Sequence, residues 1–161
     1  MKSKQSKTKI VVLSGVTIAL YVVVMYFTQT FAFGQYQIRI ATSLYSMSYF
    51  FPFLVIPLGM ANLLSNLLLG GLGFADVAGG IIVGVLTSGS IYLVRRFELQ
   101  KLLIIPILIL IPGLGVPVWL SPILGAPYFV LAISICIGQI LPAILGYIFV
   151  RAIPQKVADR L

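Results

Sequence analysis

Apolar residues run through this chain in long stretches, broken by short polar or glycine- and proline-bearing segments and not by an alternating or heptad pattern. The first stretch starts at Ile10 and fades near Phe33, and residues 10–31 predict one spanning helix, since about 20 apolar residues cross a bilayer. A second runs from Ile40 to Leu69 and a third over residues 77–93. Residues 102–150 hold two more spans, separated by the Pro/Gly-rich stretch from Pro112 to Pro127.

The basic residues decide the parity of the crossings. They gather as Lys2, Lys4, Lys7 and Lys9, then Arg95, Arg96 and Lys101, then Arg151, Lys156 and Arg160. Placing all three clusters in the cytoplasm satisfies the positive-inside rule, so an even number of crossings separates each from the next. Read as one helix, residues 40–69 would put Arg95 outside. Two short helices broken near Pro52 to Pro57, where proline disrupts the helix ladder, restore the parity, with one or both tilted, thinned or partly re-entrant. The expected fold is an all-α integral membrane protein, a six-transmembrane-helix bundle with both termini cytoplasmic. It forms a single domain over residues 1–161, with basic cytoplasmic segments at 1–9 and 151–161. The run from Ile10 is too long for the core of a signal peptide and reads as the first span.

Composition agrees. The chain is 60% hydrophobic and 9% charged, with a mean hydropathy of +1.13, whereas a soluble domain is about one-quarter charged. A net charge of +8 invites a nucleic-acid reading, but the excess sits at span ends, where anionic lipid head groups are the better partner. Cys136 stands alone, so no internal disulfide forms, and it reads as a small buried hydrophobe. There is no histidine, and the three carboxylates are far apart, so neither a metal site nor acid–base catalysis is expected, and no cofactor is implied. The chain has no G-x-x-x-x-G-K-[ST] loop, so active transport would draw its energy from a partner.

Two charges fall outside the basic clusters and the loop and tail beside them, Arg39 and Asp76, both at the predicted outer face. Ionisable groups near hydrocarbon mark a functional site by default. Arg39 closes the segment Phe33-Gly34-Gln35-Tyr36-Gln37-Ile38-Arg39, which offers amides, rings and a cation that binds carbonyls or anions bidentately. An interfacial belt with a snorkelling arginine is the plainer reading. Asn62 and Asn66 share one helical face beside Ser65, to read a polar ligand or to bond a neighbouring helix. Asp76 follows Gly70-Gly71-Leu72-Gly73 and either caps the next helix or pairs with Arg39 or a ligand amine. Gln139 lies inside the last span, and Trp119, Tyr128, Tyr45 and Tyr49 are candidate stacking rings or belt residues. Gly15 and Ala19, extended by Ser14, form a small-residue strip that lets another helix approach closely, inside or outside the bundle.

Six short spans, a basic N-terminus and that strip resemble the substrate-binding S-components of energy-coupling factor transporters. Within that group the chain is most similar to the QueT family, associated with queuosine precursors. Phe33-Gly34 with Gln37 and Arg39, Asn66 with Gly70-Gly71-Leu72-Gly73 and Asp76, and Ala19-Leu20-Tyr21-Val22-Val23 carry the resemblance, which extends to Arg96. It implies an outward-open pocket in a bacterial plasma membrane, taking preQ0, preQ1 or a queuine-like 7-deazaguanine. It also implies a transmembrane coupling subunit and two ABC ATPases as partners, with Gly15 and Ala19 as the docking strip. Gln37, Arg39, Thr42, Tyr45, Asn62, Asn66, Asp76 and Gln139 would line or brace the pocket. The chain departs from the family pattern at Ala41-Thr42, where a Ser-Glu pair is expected, and at Gln139, where an acidic residue is. A different vitamin as ligand, or a non-transporting scaffold role, therefore stays open.

Overall fold

A computed structural model of the chain describes residues 6–34, 36–69 and 72–153; Lys2, Lys4, Gln35, Gly70, Gly71, Lys156 and Arg160 lie outside the described residues. Among the described residues every regular element is helical. α1 covers Lys7–Ala32, α2 Val55–Leu69, α3 Phe74–Arg96, α4 Ile104–Gly115, α5 Pro117–Leu124, α6 Tyr128–Gly138 and α7 Ile140–Ala152. Among the described residues five helical stretches are long and apolar enough to cross a membrane: Lys7–Ala32, Pro52–Leu69, Phe74–Arg96, Lys101–Leu124 and Tyr128–Ala152. The chain is a multi-pass membrane protein.

Between α1 and α2 lies a 3-10 helix, Ile40–Tyr49, ten residues long where such runs seldom exceed a turn. Its sequence, Ile-Ala-Thr-Ser-Leu-Tyr-Ser-Met-Ser-Tyr, explains the pitch. Hydroxyls of Thr42, Ser43, Ser46 and Ser48 each reach the carbonyl three residues back, at 2.6–2.7 Å, which favours the tighter winding. At about 2.0 Å per residue the segment reaches roughly 20 Å, against about 15 Å for the same residues in an α-helix. It leaves the level of Arg39 and ends at Tyr49 and Phe50, whose carbonyls accept from Arg95 Nη1 at 3.1 and 2.9 Å. Lys101 Nζ lies over the Tyr49 ring and Phe149 of α7 packs on Phe50, so the basic cluster gathers at this end. The expected break in 40–69 falls at Phe50 and Phe51. Pro52 opens a short 3-10 turn, and Pro57 sits in the first turn of α2, where an amide has no helical partner anyway.

One expectation is corrected. The stretch from Pro112 to Pro127 does not separate two spans along its length; helix continues through it to Leu124. Val116 N–H still donates to Pro112 O and Leu120 N–H to Val116 O, while Pro117 opens α5, where its missing N–H costs little. The turn is confined to Gly125, at φ +63°, and the residues up to Pro127.

α2 and α3 pack at glycine distance. A Cβ on Gly84 would lie 2.9 Å from the Gly59 Cα, and one on Gly59 would strike Val85. Small residues let helices approach closely in a bilayer, where lipid offers no hydrophobic drive to associate. The core around Tyr21, Met25, Tyr45, Leu54, Leu58 and Leu108 sits between the 3-10 helix and its neighbours.

Candidate ligand-binding site

At the end of the bundle opposite Arg95 and Lys101 the chain turns from α1 into the 3-10 helix through residues 33–39. Ile38 N–H bonds to Phe31 O and Gln37 N–H to Gly34 O, which folds the turn back over the end of α1. Gln37 adopts φ +45°, a left-handed conformation that costs an ordinary residue about 1–2 kcal/mol. Gln139, between α6 and α7, holds it there. Its Nε2 donates to Gln37 O at 3.0 Å, and its Oε1 lies 2.8 Å from the Thr42 hydroxyl. That hydroxyl also lies 2.7 Å from Arg39 O, and its single proton serves one acceptor at a time. Next to Gln139, Gly138 is obligatory: a Cβ would collide with the Tyr36 carbonyl.

Arg39 is 6% exposed. Its Nη1 donates to Asn62 Oδ1 at 3.1 Å and Asn66 Oδ1 at 3.0 Å, spending both protons of that nitrogen, and the guanidinium lies 5.1 Å from the Phe33 ring centroid. The two carboxamides are themselves anchored, Asn62 Nδ2 to Gly80 O at 2.9 Å and Asn66 Nδ2 to Asp76 O at 3.0 Å. Gly80 makes this possible, since a Cβ there would sit 2.8 Å from Asn66 Nδ2.

Asp76 is buried in the first turn of α3, whose N-cap is Gly73. Its Oδ2 accepts from Leu72 N–H at 3.2 Å and its Oδ1 from Trp119 Nε1–H at 3.0 Å. The carboxylate thus bonds an amide just ahead of the helix, and Asn66 links Arg39 to the Asp76 backbone carbonyl, not to the carboxylate. Trp119 reaches it because Gly79 leaves room for the indole.

These groups border a cavity of about 370 Å³. Gln37, Arg39 and Asp76 form its polar wall, Phe33 and Gly34 one edge, and Leu72, Leu120, Leu124, Leu131 and Ile135 an apolar wall. An apolar pocket with a few converging polar groups is the usual form of a small-molecule site. Two buried side-chain atoms among the described residues lack a partner, Gln37 Oε1 and Arg39 Nε, and both residues line this cavity.

Of the sequence candidates, Gln37, Arg39 and Asp76 reach the wall, and Asn62, Asn66, Thr42 and Gln139 stand behind it. Tyr45 turns toward α1, its hydroxyl 3.2 Å from that of Tyr21. Tyr49 lies at the basic end, and the Tyr128 hydroxyl donates to Leu114 O. Gly15 and Ala19 are on the exposed face of α1, and nothing lies within 4 Å of a Cβ placed on Gly15. The leucine wall and the three accommodating glycines, Gly79, Gly80 and Gly138, escaped sequence reasoning. Paired glycines inside an apolar helix, and a glycine directly before a buried glutamine, were the available signals.

A family model described as QueT transporter matches residues 11–155. Neither the comparison with curated proteins nor that with solved structures gave a significant match.

Proposed function

The chain belongs to the QueT transporter family, and on that premise we propose that it is the substrate-capturing S-component of an energy-coupling factor importer. Its ligand is a queuosine precursor, preQ0, preQ1 or a queuine-like 7-deazaguanine, taken from outside the cell. The observation that carries this reading is the cavity itself: about 370 Å³, polar at Gln37, Arg39 and Asp76, apolar elsewhere. That volume and lining suit one flat heterocycle, with the Phe33 ring and the leucines against its faces and Gln37, Arg39 and Asp76 at its edges. Asn62, Asn66 and Gln139 act as braces that hold those readers still.

Orientation follows from charge. Arg95, Arg96, Lys101 and Arg151 belong in the cytoplasm, which turns the cavity outward. The 3-10 helix then makes a sixth, thinned crossing and both termini are cytoplasmic. A transmembrane coupling subunit docks on α1 at Gly15 and Ala19, where the helix is open, and two ABC ATPases energise that subunit.

Equilibrium binding to the purified chain tests the reading. Saturable binding of preQ1, preQ0 or queuine supports it, and affinity only for an unrelated vitamin overturns it.

A further inference from the structure

Burying a polar atom without a partner is costly, and in a membrane protein water offers little relief. Yet Gln37 Oε1 and Arg39 Nε are both left without one. Arg39 Nη1 serves two asparagines, and the Gln37 backbone bonds Gly34 and Gln139. Gln37 is also held at φ +45°, and strain of this kind persists where the surroundings enforce it. The two unpartnered atoms differ in kind: one accepts, the other donates. They belong to residues two apart on the wall of one cavity.

A carboxylate would satisfy Arg39 Nε but set its lone pairs against Gln37 Oε1. An ammonium would satisfy Gln37 and face the guanidinium. Only a group carrying an acceptor beside a donor satisfies both. We propose that this wall reads the lactam edge of the ligand, its C=O accepting from Arg39 Nε–H and the adjacent ring N–H donating to Gln37 Oε1. The inference rests on the 7-deazaguanine reading of the site and adds which edge of the ring faces which residue.

A ligand series on the full-length wild-type chain tests it by calorimetry. 7-Deazaguanine carries the edge; 2,6-diamino-7-deazapurine inverts it, with a donor at C6 and an acceptor at N1. The expected result is a loss of about 100-fold or more for the diamino compound, the effect of leaving two buried partners opposed. The 6-O-methyl derivative of 7-deazaguanine, with acceptors at both positions, should bind at least about 10-fold more weakly than the parent. Gln37→Asn keeps a residue that tolerates positive φ but withdraws the carbonyl by one methylene, and should cost about 10-fold in 7-deazaguanine affinity at unchanged melting temperature. Equal binding of 7-deazaguanine and the diamino compound overturns the edge and leaves the substrate class standing. Binding of the O-methyl compound as tight as the parent also overturns it, because Gln37 must then present its NH2. If none of the three binds and preQ1 does not either, the substrate class falls and the edge with it; if preQ1 alone binds, the class stands and the edge is overturned as a source of affinity.

Discussion

Replacing Arg39 by methionine should separate binding from stability. The side chain is 6% exposed, and its partners are neutral: two carboxamide oxygens and a ring face. Losing the guanidinium leaves Asn62 Oδ1 and Asn66 Oδ1 without that donor, at about 1–3 kcal/mol each. Removing a buried charge for an apolar chain of similar length returns about 1–4 kcal/mol. The two losses together, about 2–6 kcal/mol, exceed that return by about 1–2 kcal/mol at matched ends of the ranges, so the melting temperature should fall by roughly 2–8 °C, at about 2–4 °C per kcal/mol for a chain of this size. Binding has no such compensation. The lost hydrogen bond from a charged donor is worth about 1.5–3 kcal/mol, or roughly 10- to 150-fold in affinity. Thermal unfolding followed by the fluorescence of Trp119, the single tryptophan, gives the first quantity and calorimetry with preQ1 the second. Unchanged affinity, or a variant that no longer folds, refutes the reasoning.

Trp119→Phe keeps the packing on Gly79 but removes the donor to Asp76 Oδ1, and should weaken preQ1 binding by roughly 10-fold in the same titration. Gly138→Ala drives a methyl into the Tyr36 carbonyl and displaces the turn carrying Gln37; overpacking of about 1–3 kcal/mol should cost about 10-fold or more in affinity. Gly15→Leu projects into open space, so ligand binding should be unchanged while co-purification with the transmembrane coupling subunit is lost. Retained complex formation would remove this strip from the docking role.

Much of the bundle was legible from hydropathy. Residues 10–31 and 77–93 fall within α1 and α3, and Arg39 and Asp76 border one cavity. Asn62 and Asn66 share a face, as their spacing required, and that face points at Arg39. What stayed hidden depends on tertiary context. Four hydroxyls back-bond along the 3-10 helix, and two of them, Thr42 and Ser48, also reach Gln139 Oε1 and Ser88 O, partners that an apolar run does not announce. Pro112 and Pro117 read as breakers, yet an apolar segment with no water to solvate its freed carbonyls continued as helix. Leu120, Leu124 and Leu131 face a cavity, but their chemistry is that of the leucines facing lipid. Thr42 is engaged with Gln139 and the Arg39 carbonyl, so the polar side of the cavity rests on Gln37, Arg39 and Asp76.

The central claim is that this cavity captures a 7-deazaguanine. Native mass spectrometry of the purified full-length chain, incubated with an equimolar mixture of preQ1, queuine and unrelated vitamins, tests it most directly. The account predicts a one-to-one adduct with a 7-deazaguanine, weakened roughly 10- to 150-fold in Arg39→Met when the ligand is titrated. An adduct with another vitamin alone, or a 7-deazaguanine adduct undiminished in Arg39→Met, would contradict it.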